Sequence, residues 1–533
     1  MKNDFNKLII SNINKLTVTR PSSWILKDEN LREQTRFKEN KNKKITNKLF
    51  GDNKKKTIVK KNNNDKYNIN DLKIIGITGS CGKTSVAVLI HRYLQSIGKK
   101  SVLYSSAYAD SPASWLDRKV CYDQAIITEE VIVNILNECK EYEAEYLILE
   151  CWSGAIGRGA FDNIKFDLKV LTSFYSGYMD QTFNNRDHYF NLKSKFLTTN
   201  DCPVLINMRI EENKEDIYKR RAFIDNITTK KLYYNIHPIC TPDFKDIKLD
   251  YYFEDSDNLK EGTKNINMYD SFKCSFYNLK APNRQARIYK TYLNGFNLDN
   301  SLCAYAIADF FEELNEDAWA EFIGSPDLYI AGRSQKIEWK DRTIIISPDN
   351  LYLCGYINNQ RSQIEKYYEQ NINYTVNNEI IEAPTKINKI RLIASPLRGT
   401  VSTTKYIDAY LNNSLLENMN KPTVCLDNAM PEYYAYCYNN YIDSIILNVL
   451  DLGNGDYDKI IEAMKAKLNI PCDDAKNRYT AILKALMQSE KNDVIIVAGR
   501  GNRNTNVIDY ETIEYGTDID FIKKACDELY WLE

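Results

Sequence analysis

The residues Gly79-Ser80-Cys81-Gly82-Lys83-Thr84-Ser85 place two glycines, a lysine and three hydroxyl side chains within seven positions. An apolar run, LKIIGIT, precedes them and an amphipathic stretch, SVAVLIHRYLQSIG, follows. A strand, a glycine-containing turn and a helix in that order form a phosphate loop: successive backbone N–H groups and the helix N-terminus cradle phosphate oxygens. The lysine then reaches the terminal phosphates, and the adjacent hydroxyl can ligate Mg²⁺. Those last two roles fall to Lys83 and Thr84. The commonest spacing puts the first glycine at position 77, which is Ile77 here, so Gly79 supplies the turn and the loop is a variant. Other catalytic chemistries have few candidates. The three histidines, His91, His188 and His237, are too few and too scattered for a multi-histidine metal centre, and none has the H-E-x-x-H spacing. The 13 cysteines form no C-x-x-C pair and are sparse for a disulfide scaffold, so they are expected to be reduced and mostly buried. Any metal is therefore expected to be held chiefly by oxygen.

The elements that must position this loop are legible in the apolar pattern. The chain has 533 residues, 43% of them hydrophobic, and a formal net charge of -1, which favours two or three domains with substantial cores. From Leu72, short apolar runs (LKIIGIT, KSVLYSS, AEYLILE, FDLKVLTSF) alternate with helical stretches such as EEVIVNILNECKEY, the pattern of a mostly parallel sheet covered on both faces. Residues 231–292 read as strands and turns and suggest an antiparallel insertion. A helical segment, NSLCAYAIADFFEEL, follows and ends near Gly332-Arg333; the alternation then restarts with RTIIIS, KIRLIAS, SIILNVL and NDVIIVAG. The expected fold is thus α/β: a central parallel-sheet ATPase domain over 71–332, then a smaller Rossmann-like domain over 333–533. Before them, residues 1–70 form a short segment with a basic linker. Between Arg36 and Lys66 there are 12 Lys/Arg against 3 Asp/Glu. Without interleaved aromatics, that stretch reads as a solvated linker in preference to a nucleic-acid-binding arm. No apolar run is long enough to span a membrane and no signal peptide is legible, so a soluble, cytoplasmic protein is expected.

The loop GITGSCGKTS resembles that of the Mur ligase superfamily, whose loops read close to G-T-x-G-K-T-[ST]. Further segments resemble the family's in the same order, over roughly residues 72–533. LILECWSG resembles the strand that ends in a Mg²⁺-binding glutamate, here Glu150. YFNLKSKFL resembles the segment that carries a carbamylated lysine in many members, here Lys193, 15 residues after Tyr178 as in the family's His-to-Lys spacing. GFNLDNSLCAYAIA resembles the nucleotide-side helix, with Asn300 at its polar position, and Gly332-Arg333 the hinge to the C-terminal domain. NRYTAI and VIIVAGRGN resemble the D-R-x-x-A-I and V-x-x-A-G-K-G-H of peptide-adding members. The resemblance implies ATP and Mg²⁺, a small-molecule or peptide carboxylate, an amino compound, and the reaction carboxylate + ATP + amine → amide + ADP + phosphate. In that reading Lys83, Glu150, Lys193 and Arg333 are catalytic, and Thr84, Glu150 and Lys193 face metal. Gly79, Ser80, Cys81, Gly82, Lys83, Thr84, Ser85, Asn300, Arg333 and Asp349 bind nucleotide.

The departures carry information as well. The family's metal-binding His is Tyr178 and the Asp before it is Gly177, which puts the usual second Mg²⁺ site in doubt, because a phenol is a poor neutral ligand for a hard cation. The segment opening the C-terminal domain is IIISPDN, leaving Asp349 or Asn350 near the adenine. Nothing before the loop resembles the sugar-nucleotide domain of the peptidoglycan enzymes, so a different acceptor is expected. Where diamino-acid-adding relatives carry a Glu after G-K-G-H, this chain has Arg500 and Arg503, expected to favour an acidic or neutral amine over lysine or diaminopimelate. Two alternatives remain: a poly-γ-glutamate or folylpolyglutamate synthase-like ligase, and a degenerate nucleotide-binding partner protein.

Overall fold

The computed structural model describes residues 71–531 except 107–108, 111–126, 174–185, 200–201, 209–213, 237–243, 255–275, 283, 290–294, 326–327, 329, 349–353, 355–356, 359–360, 363, 366–374, 377–378, 381–385, 395–431, 449–456, 503–504 and 509–510. Runs of apolar residues form the strands and amphipathic stretches the helices between them. In chain order the first part contains β1 (Lys73–Thr78), α1 (Lys83–Ser96), β2 (Ser101–Tyr104), β3 (Ala109–Asp110), α2 (Glu129–Tyr142), β4 (Tyr146–Glu150), α3 (Ser153–Gly157) and β5 (Leu168–Leu171). It continues with α4 (Arg186–Thr198), β6 (Val204–Asn207), α5 (Lys214–Asn226), β7 (Lys231–Asn235), β8 (Tyr251–Glu254), β9 (Phe276–Ala281), β10 (Arg284–Tyr289), α6 (Gly295–Phe310) and α7 (Glu316–Gly324).

These strands make one ten-stranded sheet in the order β10-β9-β8-β7-β6-β5-β1-β4-β2-β3. From β8 to β2 every neighbouring pair is parallel; β3, β9 and β10 are antiparallel additions at the edges. The central strands are mostly apolar because both faces are covered. α1, α6 and α7 pack on one face around Val88, Leu302 and Trp319, and α2 to α5 on the other around Ile135, Phe196 and Phe223. The expectation of an antiparallel insertion over 231–292 is corrected here. β7 lies parallel to β6 and β8 parallel to β7, so the strands widen the main sheet, and only the β8–β9 and β9–β10 pairs are antiparallel. The physical reason is that two crossovers, α5 between β6 and β7 and residues 236–250 between β7 and β8, each return the chain in the same direction.

The second part contains β11 (Gln335–Trp339), β12 (Arg342–Ser347), β13 (Thr375–Val376), β14 (Glu379–Ile380), β15 (Ile390–Ala394), α8 (Glu432–Tyr441), β16 (Ser444–Leu447) and α9 (Tyr457–Lys465). β17 (Cys472–Asp474), α10 (Arg478–Gln488), β18 (Val494–Ala498), β19 (Thr505–Ile508), β20 (Glu511–Glu514) and α11 (Asp518–Trp531) complete it. Six strands form a sheet ordered β11-β12-β18-β15-β16-β17, parallel except for the β11–β12 hairpin. α8 and α9 cover one face and α10 and α11 the other. The two sheets meet in sequence between Gly324 and Gln335, around the expected Gly332-Arg333 junction. Among the described residues no helix is long and apolar enough to cross a membrane.

Candidate active site

Three adjacent parallel strands, β4, β1 and β5, end on the same side of the first sheet, and each ends in polar residues. That is where open α/β sheets place their ligands. β1 runs into Gly79-Ser80-Cys81-Gly82 and then α1, β4 ends at Glu150, and β5 runs into Thr172 and Ser173. The loop leads into the helix through Gly82, whose φ of 85° is the left-handed region, and a Cβ there would stand 2.6 Å from the Asn300 side-chain oxygen. Any other residue at 82 is strained twice over.

The structure brings Thr84, Glu150 and Arg333 together beside the loop that carries Lys83. The Thr84 hydroxyl donates to Glu150 Oε2 at 3.0 Å, and both residues are buried. Arg333, 249 residues away in sequence, brings Nη2 to 3.5 Å from Thr84 Oγ1 and 3.1 Å from Ser106 Oγ, while Nη1 reaches Asn502 Oδ1 at 3.4 Å. The hinge is packed tightly against the second sheet's last loop: a Cβ on Gly332, where φ is 65°, would lie 2.1 Å from the Asn502 nitrogen. Lys83 Nζ donates to the carbonyls of Gly79 and Ser80 at 3.0 and 3.3 Å.

Lys193 lies beneath the same loop. α4 carries it there, 2% exposed, and its Nζ donates to Gly79 O at 2.8 Å and Thr78 Oγ1 at 3.3 Å. Burial, and then the positive charge of Lys83, hold its amine well below the usual lysine range. Asn300, buried in α6, puts its side-chain oxygen beside Gly82.

The sequence reading missed Ser106, Thr172 and Ser173. The Ser106 N–H donates to Glu150 Oε2 at 2.7 Å and its hydroxyl lies 2.8 Å from Thr84 Oγ1. Ser173 accepts from the N–H groups of Ser80 and Cys81 through its carbonyl and hydroxyl, at 3.0 and 2.7 Å, and Thr172 Oγ1 donates to Cys81 O. Thr172 is itself held by Asn207, whose amide donates to its carbonyl at 2.8 Å. The available signal was position: each polar residue lies within two residues of the end of an apolar strand, on the loop's side of a parallel sheet.

Arg500, expected at the amine, packs within its own part of the chain. It is 2% exposed, donates to Gly516 O at 2.8 Å and lies over the Tyr515 ring at 4.8 Å, inside the second part of the chain. Asn477 and Arg478 of the NRYTAI segment serve architecture: Asn477 caps α10 by accepting from the N–H groups of Tyr479 and Thr480, and buried Arg478 donates to both oxygens of Asp518. Asp349, Asn350, Arg503, Tyr178 and Gly177 lie outside the described residues, as does the side chain of His188. Among the nine described cysteines, all free thiols, six are buried, and burial pushes the Cys303 thiol up to about 12.

A hard divalent cation fits the donor set at Thr84 and Glu150, a hydroxyl and a carboxylate oxygen at 3.0 Å from each other. Among the described residues no cluster of three His, Cys, Asp or Glu forms. One carboxylate with phosphates and waters is the ordinary environment of Mg²⁺, whereas zinc or calcium cages need more protein ligands.

Comparison with known proteins agrees with this geometry. Residues 77–236 match the Mur ligase middle domain. UDP-N-acetylmuramoyl-L-alanyl-D-glutamate--2,6-diaminopimelate ligase of Prochlorococcus marinus is 24% identical over 279 residues, 50% of this chain and 48% of that protein. The ligase of the same name from Helicobacter pylori is 29% identical over 136 residues, 25% of this chain and 29% of that one. The chain therefore matches about half the length of the first relative and less of the second. A pseudomurein peptide ligase type C from Methanothermus fervidus shares the fold, with a TM-score of 0.51 at 14% identity, covering 87% of this chain and 80% of that chain. The stretch built around this phosphate loop, residues 77–236, is thus similar to the Mur ligase middle domain, and the chain is similar to Mur ligases over about half of its length.

Proposed function

We propose that the protein is an ATP-dependent, ADP-forming carboxylate–amine ligase that makes an amide through an acyl phosphate. The observation that carries the reading is the meeting of Lys83, Thr84, Glu150 and Arg333 at one strand end, with Lys193 buried under the same loop. A carboxylate does not condense with an amine in water. Attack of its oxygen on the γ-phosphorus of ATP releases ADP and leaves an acyl phosphate, and attack of a neutral amine on the acyl carbon then releases phosphate. The first step needs positioning and charge neutralisation more than covalent help.

In this reading Lys83 turns from the Gly79 and Ser80 carbonyls to the β- and γ-phosphates, and Thr84 and Glu150 hold Mg²⁺. That ion, when bound, supplies further neutralisation of phosphate charge. Ser106 orients the Glu150 carboxylate through its N–H. Arg333 bridges the phosphate loop and Asn502 at the hinge, so closure of the second part of the chain on nucleotide would exclude water from the acyl phosphate. The lowered basicity of Lys193 shifts it toward the neutral amine, the form that adds CO₂ to give a carbamate and a proton. The carbamate would present a carboxylate beside the γ-phosphate. We take Gly332-Arg333 as the boundary between an ATP-binding domain (71–332) and a C-terminal domain (333–533).

The similar proteins from Prochlorococcus marinus and Helicobacter pylori are by name ligases of 2,6-diaminopimelate, so diaminopimelate belongs in the test. Release of ADP is measured with a panel of carboxylates against glutamate, aspartate, alanine, lysine and diaminopimelate. Stimulation that requires both a carboxylate and an amine is the expected result. ATP turnover indifferent to every pair would contradict the reading and favour a degenerate nucleotide-binding partner protein.

A further inference from the structure

Lys169 is fully buried in the middle of β5, flanked by the core residues Leu168 and Val170. An amine is costly to place there unless carbonyls satisfy it, and an apolar side chain of the same length would fill the space without that cost. Its Nζ donates to the carbonyls of Phe196 and Thr199. It also lies 4.7 Å from the centroid of the Phe196 ring and 5.5 Å from that of Phe166. Phe196 belongs to the last turn of α4, and Thr199 immediately follows that helix. The last carbonyls of a helix have no partner within it and carry the negative end of its dipole, so a buried amine from the sheet fastens α4 at that end.

α4 is the helix that carries Lys193. Lys193 and Phe196 are three residues apart and share a face of it. β5, the strand from which Lys169 reaches, continues into Thr172 and Ser173, which hold the phosphate loop through Cys81 and Ser80. One strand thus grips the loop at its carboxyl end and the lysine-bearing helix from its middle. We propose that Lys169 is a positioning residue for Lys193: it sets the depth of α4 against β5, so that Lys193 Nζ stays at the Gly79 carbonyl and the Thr78 hydroxyl. The proposal rests on the role given to Lys193 in the proposed function.

The test uses the full chain with Lys169→Met, which keeps length and removes the donors, and Lys169→Gln, which keeps a shorter donor. Lys193→Met serves as reference. The first readout is trace labelling of amines across a pH series, with modification at residue 193 quantified by mass spectrometry. Lys169→Met should move the labelling midpoint of Lys193 up toward that of surface lysines, and Lys169→Gln should move it part of the way. The second readout separates nucleotide binding from turnover. Lys169→Met should lower turnover on the order of 10-fold, as expected for misplacement of a group near the chemistry, with little change in nucleotide affinity. An unchanged midpoint in folded Lys169→Met overturns the proposal. So does a loss of nucleotide affinity equal to the loss of turnover. If Lys169→Met does not fold, an unmoved midpoint in Lys169→Gln overturns it equally. Should Lys193→Met keep full turnover, the catalytic role of Lys193 falls, while the labelling midpoint still decides whether Lys169 positions it.

Discussion

Buried cations serve the two parts of the chain differently. Under the phosphate loop, half-buried Lys83 and buried Lys193 both donate to the carbonyl of Gly79, and burial, then the nearness of the Lys83 charge, disfavours the proton on Lys193. In the second part, Arg478 is just as buried, yet its guanidinium faces Asp518 through Nε and Nη2 and donates to the Ala498 carbonyl, joining α10, α11 and the end of β18. Two amines that share neutral acceptors would, in the proposed reaction, meet an incoming anion. A guanidinium matched to its own carboxylate holds architecture. The comparison teaches that burial alone does not mark a functional cation; the company it keeps does.

The comparison can be broken at either end. Lys83→Ala should reduce ADP release on the order of 10³-fold by removing a charge from the transferring phosphate, while the thermal midpoint stays at the wild-type value. Near-normal turnover would remove the phosphate-loop assignment. Arg478→Met should do the reverse. Leaving Asp518 buried and uncompensated is expected to cost about 3–5 kcal/mol of unfolding free energy, measured by denaturant titration, with nucleotide affinity retained in the folded fraction. A smaller effect follows from Glu150→Gln: turnover about 10²-fold down, partly recovered by raising Mg²⁺, because a neutral amide still offers an oxygen. A residual rate indifferent to Mg²⁺ would mean that Glu150 holds no cation.

The smallest effect concerns pH. Because the folded protein holds the Lys193 amine below its unfolded value of 10.5, the unfolded chain binds more protons between the two values, and the native state gains stability as pH rises through that window. Lys193→Met removes this dependence. The difference in unfolding free energy between the variant and the wild type should therefore shift in favour of the wild type as pH approaches 10.5. A difference that stays constant with pH would show that Lys193 is not desolvated in the native state.

How much of this was legible in sequence depends on whether the signal was local. The phosphate loop, Glu150 and the central strands were readable because each is written in a few consecutive residues: an apolar run, then a glycine turn or a carboxylate. β11 escaped because its turn to β12 is made by Lys340 and Asp341, both at positive φ (46° and 58°), where the usual hairpin signal is Asn-Gly or Asp-Gly. The direction of β7 and β8 escaped because strand text carries no orientation; the crossover through α5 sets that of β7, and the connection over 236–250 sets that of β8. Ser106 and Ser173 escaped because serines after strands are ordinary, and only the adjacency of β2, β4, β1 and β5 brings them to the loop. The contacts of Arg500 with Tyr515 and Gly516 were not legible for the converse reason, since nothing in GRGN points to residues 15 and 16 positions on.

The central claim is that a carboxylate oxygen attacks ATP. It is tested most directly by supplying the acceptor with ¹⁸O in its carboxylate and analysing the released phosphate by mass spectrometry. An acyl phosphate intermediate requires one ¹⁸O to appear in each phosphate formed along with amide. Phosphate that carries no label while ADP and amide accumulate would contradict the account.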